Sequence, residues 1–136
     1  MPDTRPTTLF TLTERAMSAQ LVRMNAATSN LANAGSVASS ADQAYRPIRA
    51  VFTAELDRAS GLTSVSSGQL VRSATEPTKT YDPGHPLADP DGFVFEAGVD
   101  ESAEMVEIME SARQYQNMVE ALQTAKQLML DTLRSK

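Results

Sequence analysis

The chain has 136 residues, 12 Lys and Arg against 17 Asp and Glu, a formal net charge of −5 and no cysteine. That length suits a single domain, the acidic balance argues against a partner held by its phosphates, and the absent thiols exclude disulfides, Cys-ligated zinc and a cysteine nucleophile. Aromatic residues make up 5% with no Trp, too few for a large compact core, while the seven Met suit long helices with adaptable apolar seams.

The chain opens Met1-Pro2-Asp3-Thr4-Arg5-Pro6, without the basic start and apolar run of a secretory signal. No segment approaches the ~18 apolar residues of a membrane-spanning helix. The expectation is a chain with no Sec-type address and no direct membrane insertion.

From Thr7 to about Ala34 the sequence predicts a helix capped by Thr7, Thr8 or Thr11, any of which offers a hydroxyl to the first-turn amides. Phe10, Met17, Leu21, Met24 and Leu31 fall on one 4-3-4-3 track. Gly35 stands where the helix would end. Residues 35–44 are small and polar and read as a flexible connector.

The middle has another texture. Residues 48–53 and 69–73 are short strand candidates. Residues 59–68 are rich in Ser, Thr and Gly and read as a hairpin loop or mobile tip. Asp82-Pro83-Gly84-His85-Pro86 and Asp89-Pro90-Asp91-Gly92 carry turn chemistry, and Phe93-Val94-Phe95 is a brief apolar strand.

From Asp100 or Ser102 to Leu133 the helical signal is strongest. Met105, Ile108, Ala112, Tyr115, Val119, Leu122, Lys126, Met129 and Leu133 repeat at the 3-4 spacing of a coiled-coil seam, broken only by Lys126. Acidic residues crowd the start of this helix, and Lys126, Arg134 and Lys136 sit near its end, which complements the helix dipole.

Catalytic patterns are weak. His85 is the single histidine and lies in a turn, so it reads as a surface or packing residue rather than a general base. Asp89-Pro90-Asp91-Gly92 resembles the opening of a calcium loop but lacks the downstream bidentate Glu, which favours a turn. Glu104, Glu107 and Glu110 share the spacing of one solvated helix face rather than of a paired-carboxylate site. No catalytic, cofactor or metal residue is assigned, and a pocket around His85 and Asp89 is the one enzyme reading left.

The two apolar stripes either pack on each other within one molecule or also build contacts between subunits. No ionisable side chain occurs from Met24 through Ala41, and a charge-free stretch of small residues is poorly placed against bulk water. That favours contacts between subunits. Asn30 and Asn33 either cap the first helix or bond a neighbour's backbone.

Ser29-Asn30-Leu31-Ala32-Asn33-Ala34, followed by Tyr45-Arg46, resembles the N-terminal signature of bacterial flagellar rod and hook axial proteins. Residues 82–94 resemble the segment of that family's proximal-rod members. Glu104-Met105-Val106-Glu107, Ala112-Arg113-Gln114-Tyr115-Gln116, Val119-Glu120-Ala121 and Lys126 match its C-terminal helix in kind and spacing. Gly35-Ser36, Phe93 and Ala97-Gly98 depart from the usual pattern.

The resemblance implies a non-enzymatic structural subunit of the proximal rod of the flagellar basal body. Such a subunit self-assembles into a helical tube that crosses the periplasm and transmits torque from motor to hook. It implies delivery by the flagellar type III export apparatus without a cleaved signal peptide. The implied partners are copies of itself, other rod proteins and the adaptor joining the rod to the membrane ring, with no cofactor and no nucleic acid. The competing reading is a soluble helical adaptor or export chaperone that does not polymerise.

The fold expected is mainly α. Long terminal helices pair as a coiled coil, with a small β-hairpin-containing middle. The divisions are 1–45 (first helix and connector), 46–98 (β-containing outer segment) and 99–136 (second helix). The candidate subunit-interface residues are Phe10, Met17, Leu21, Met24, Asn30, Leu31 and Asn33 in the first helix and its end. In the second they are Met105, Ile108, Tyr115, Val119, Leu122, Met129 and Leu133.

Overall fold

The computed structural model describes residues 8–66 and 68–135. Helix α1 spans Leu9–Ala32, followed by β1 (Val37–Ala38), β2 (Ile48–Val51), β3 (Ala54–Asp57), β4 (Leu62–Val65), β5 (Gln69–Arg72), β6 (Thr78–Tyr81), β7 (Phe93–Glu96) and helix α2 (Glu101–Arg134). The cap of α1 is Thr8, whose hydroxyl accepts from the Thr11 amide at 3.2 Å. The alternative cap Thr7, residues 1–6, Ser67 and Lys136 lie outside the described residues. Asp100 caps α2 by accepting from the Ala103 amide. Among the described residues no helix is long and apolar enough to cross a membrane.

The mainly α expectation with a small hairpin-containing middle is corrected by this architecture. About 20% of the chain is strand, spread over several antiparallel sheets. Strands β1, β7 and β6 form a three-stranded sheet in that order, β2 pairs with β5, and β3 pairs with β4. The physical reason is sequence distance and polarity. β1 is two residues long and pairs Val37 with Glu96, while β6 reads Thr-Lys-Thr-Tyr and gains its order from β7 rather than from any alternation of its own. For the same reason residues 35–44 are not a free connector, because β1 is stitched to the edge of β7.

The two-stranded pairs form one long hairpin, with β2 and β5 at its root and β3 and β4 at its end. The ladder breaks at Phe52 and Thr53, where the Phe52 ring lies over Gly68. A Cβ at Gly68 would meet that ring at 2.3 Å, so any larger residue there would push the Phe52 ring aside. Residues 62–65, within the segment expected to be a hairpin loop or mobile tip, are strand β4, with Ser64 buried and its hydroxyl accepting from Arg15 Nη1 of α1 at 2.9 Å. The turn itself is residues 58–61, closed by Gly61 at φ 71°.

Deleting Thr63 to Ser66 is thus expected to unfold the hairpin. Doubling the length of the turn after Ala59 should cost only about 0.6 kcal/mol. Thermal unfolding of the two variants separates them.

The helices run antiparallel, since Arg23 of α1 pairs with Glu107 of α2 while Phe10 lies near Leu122. The face α2 turns inward carries Glu104, Ile108, Ser111, Tyr115, Val119 and Leu122, and α1 contributes buried Ala19, Ala26 and Ala27. Small side chains let the backbones approach closely. The heptad seam expected from the sequence coincides only in part with this contact. Met105 and Ala112 lie to one side of the inward face, because a straight helix repeats every 3.6 residues rather than 3.5. Lys126, Met129 and Leu133 lie on the inward face but are exposed, because α1 starts at Leu9, beside Leu122, and the last turns of α2 run past it. The remaining core is small: Ala44, Val94 and Ala97, in keeping with the low aromatic content.

Candidate functional site

Phe10, Met17 and Leu21 of α1, with Tyr115 and Leu122 of α2, line an open apolar groove of about 400 Å³ rimmed by Glu14. Met24, Leu31, Ile108 and Val119 are half-buried, and Leu21 is 39% exposed. Met105, Met129 and Leu133 lie on exposed parts of α2. The structure therefore brings five of the candidates to one groove and leaves three on open surface.

Asn30 and Asn33 occupy different positions. Asn30 is fully buried. Its Nδ2 donates to the Ile48 carbonyl at 2.9 Å, and its Oδ1 accepts from the Ile48 amide at 2.7 Å and from the Tyr45 hydroxyl at 2.9 Å. The side-chain amide thus meets Ile48 as a neighbouring strand would and pins the hairpin root to α1. The Tyr45 hydroxyl also lies 3.2 Å from Ser29 Oγ. Asn33 closes α1 by donating its Nδ2 to the Ser29 carbonyl at 2.8 Å. Both residues bond within the chain.

The acidic start of α2 is not one solvated face, which corrects that expectation. Glu104 is 1% exposed and its Oε1 lies 2.6 Å from Arg49 Nη2 on β2. The approach is off the hydrogen-bonding direction and Oε2 meets no donor, so the contact is an ion pair that leaves the carboxylate incompletely satisfied. Close contact with Glu104 raises the Arg49 pKa above its ordinary value against the opposing desolvation, and the charges of Glu104 and Glu107 add to the rise. Glu107 is half-buried against Arg23, with Nη2 2.7 Å away. Only Glu110 of the three is exposed.

The other chemical candidates act as turn residues. Asp89 Oδ1 accepts from the amides of Asp91 and Phe93, and His85 Nδ1 accepts from the Leu87 amide at 3.0 Å. These contacts hold the loop between β6 and β7 while the Tyr81 and Phe93 rings meet edge to face, 5.2 Å apart.

Residues 91–135 match the family described as flagellar basal body rod FlgEFG protein C-terminal. Over 125 residues the chain is 38% identical to the flagellar basal-body rod protein FlgC of Salmonella typhimurium, covering 92% of this chain and 93% of that protein. The FlgC of Escherichia coli O6:H1 is 39% identical over the same shares. The chain belongs to the FlgC family.

A FlgC-family chain is a structural rod subunit of the flagellar basal body. More distant FlgC proteins also align along the length, as with 31% identity over 92% of this chain for Buchnera aphidicola of Acyrthosiphon pisum, covering 93% of that protein. In this FlgC-family fold, sequence reasoning missed the Asn30–Ile48 contact and the burial of Glu104. The nearest signal was the pairing of the Ser29-Asn30 motif with Tyr45, which meets Asn30 in space.

Proposed function

We propose that this chain assembles with copies of itself and with other rod proteins into the proximal rod, a helical tube that crosses the periplasm and carries torque from motor to hook. Residues 1–45 and 99–136 form the axial part and residues 46–98 the outer part. The chain reaches its place through the flagellar type III export apparatus and meets the adaptor between rod and membrane ring. Its work is mechanical rather than catalytic. The interface residues are Phe10, Met17, Leu21, Met24, Leu31, Met105, Ile108, Tyr115, Val119, Leu122, Met129 and Leu133, with Asn30 and Asn33 holding the protomer that presents them.

The observation that carries this reading is the open apolar groove between α1 and α2. A soluble adaptor has no reason to leave Phe10, Met17, Leu21, Tyr115 and Leu122 around one uncovered hollow, whereas neighbouring subunits would fill it. Leu21→Asp tests it. Leu21 is partly exposed in the protomer, so the substitution should change protomer stability by less than about 1 kcal/mol. In an assembled seam the same carboxylate would be buried at a cost of several kcal/mol, roughly. Secretion should persist while rod assembly and motility are lost, and Glu120→Lys on the exposed side of α2 should leave both intact. Equal motility of the two variants would contradict the groove as an interface.

A further inference from the structure

The far half of the hairpin is set off from its root. The β2–β5 ladder ends where Val51 meets Gln69, and the β3–β4 ladder begins where Ala54 meets Val65. Residues 52–53 thus oppose residues 66–68, the uneven count of a bulge, which bends the ribbon. At the bend the Thr53 carbonyl accepts from the Ser66 amide at 2.9 Å, and Ser66 Oγ accepts from the Thr53 amide and hydroxyl. Beyond it β3 and β4 form a two-stranded arm.

Between this arm and α1 lies an open hollow of about 340 Å³, lined by Arg15, Ser18 and Val22 of α1 and by Glu55 and Val65 of the arm. The arm therefore bridges the hollow instead of packing along its whole length on α1. Its tie across the gap is the bond from Arg15 Nη1 to the buried Ser64 hydroxyl. Glu55 is the cross-strand partner of Ser64. The two side chains stand on the same face of the arm, with Cβ atoms about 5 Å apart. One guanidinium on α1 thus has a hydroxyl and a carboxylate side by side in front of it.

We infer that Arg15 is a latch with two seats, and that the arm turns about the bend at Phe52, Thr53, Ser66 and Gly68 as Arg15 passes from Ser64 to Glu55. In the first seat, the one the structure holds, a charged donor meets a buried hydroxyl. In the second the guanidinium meets a carboxylate through charge-assisted bonds, and the arm closes over the hollow. That second contact is intrinsically stronger, but Glu55 is exposed, so water takes back much of the gain. The two seats therefore lie close enough in free energy for both to be occupied. Leu56, on the opposite face of the arm, is 62% exposed, so the latch sets where the arm presents this side chain to a neighbour. Arg15 is in this sense a positioning residue for the outer part of the chain. The latch belongs to the free protomer and holds or fails independently of assembly.

The chain has no cysteine, so spin labels attach only to introduced thiols. Asn25→Cys on α1 with Thr63→Cys on the arm, both exposed, reports the arm by pulsed electron–electron distance measurement. Asn25→Cys with Leu70→Cys, also exposed, reports the hairpin root. Circular dichroism verifies the fold of each variant. The expected result is two distances to the arm and one to the root. Glu55→Gln should deplete one arm distance about fivefold, and salt at about 1 M should act in the same direction, because both weaken an exposed ion pair. Ser64→Ala should deplete the other arm distance about fivefold. A single arm distance that neither substitution moves overturns the latch. A root distance that splits together with the arm overturns the bend as its pivot.

Discussion

Asn30→Leu is expected to lower the stability of the protomer by about 3 kcal/mol or more. Leucine fills a similar volume but abandons three partners at once: the Ile48 amide, the Ile48 carbonyl and the Tyr45 hydroxyl. Asn30 is fully buried, so water does not replace it without opening the joint, and each stranded buried group costs about 1–3 kcal/mol. The loss should be local before it is global. Hydrogen exchange should accelerate first at Ile48 and along β2 and β5, while α1 and α2 keep their protection. Asn33→Ala, which loses one donated bond to the Ser29 carbonyl, should cost about 1 kcal/mol. Urea unfolding reads both values, and a loss below that of Asn33→Ala for Asn30→Leu would show that the hairpin is held by other means.

The second large effect is an asymmetry across the Arg49–Glu104 pair. Arg49→Ala leaves the Glu104 carboxylate almost wholly buried and without its ion-pair partner. Breaking a buried pair in this way costs roughly 3–5 kcal/mol. Here the guanidinium is half-exposed, so screening lowers the expected loss to about 2 kcal/mol. Glu104→Met removes the buried charge and keeps most of the volume, while Arg49 retains access to water. That substitution should be close to neutral, and the double variant should recover most of what Arg49→Ala loses. Equal losses in both single variants would mean that the pair stabilises through packing rather than charge.

Arg49 has a raised folded-state pKa. Its contribution is therefore fully present below the ordinary arginine value and is lost only as alkali passes the raised one. Titration of Arg49 should add no pH dependence to stability across the neutral range.

Both long helices were legible because each carries a sustained apolar period and a capping residue at its start. Strands β2, β5 and β7 were legible from their own β-branched or aromatic residues. The rest depends on partners distant in the chain. Thr78–Tyr81 has no pattern of its own and becomes a strand beside Phe93–Glu96. Residues 62–65 look like a flexible loop until Ala54–Asp57 and Arg15 are placed against them. Glu104 follows the spacing of a solvated helix face, and nothing local to α2 announces that Arg49 will lie over it. The 3-4 spacing of the α2 stripe pointed to one seam, whereas the structure divides its residues between the α1 contact and two exposed patches.

This chain is a structural subunit of the flagellar basal-body rod. The most direct measurement is the composition and form of basal bodies isolated from cells in which the chain is either tagged or deleted. The tagged chain is expected to copurify with the rod in several copies per basal body, and deletion is expected to arrest assembly before a rod is completed. Basal bodies with complete rods that lack the chain, with the chain recovered only as a free monomer or dimer, would contradict it.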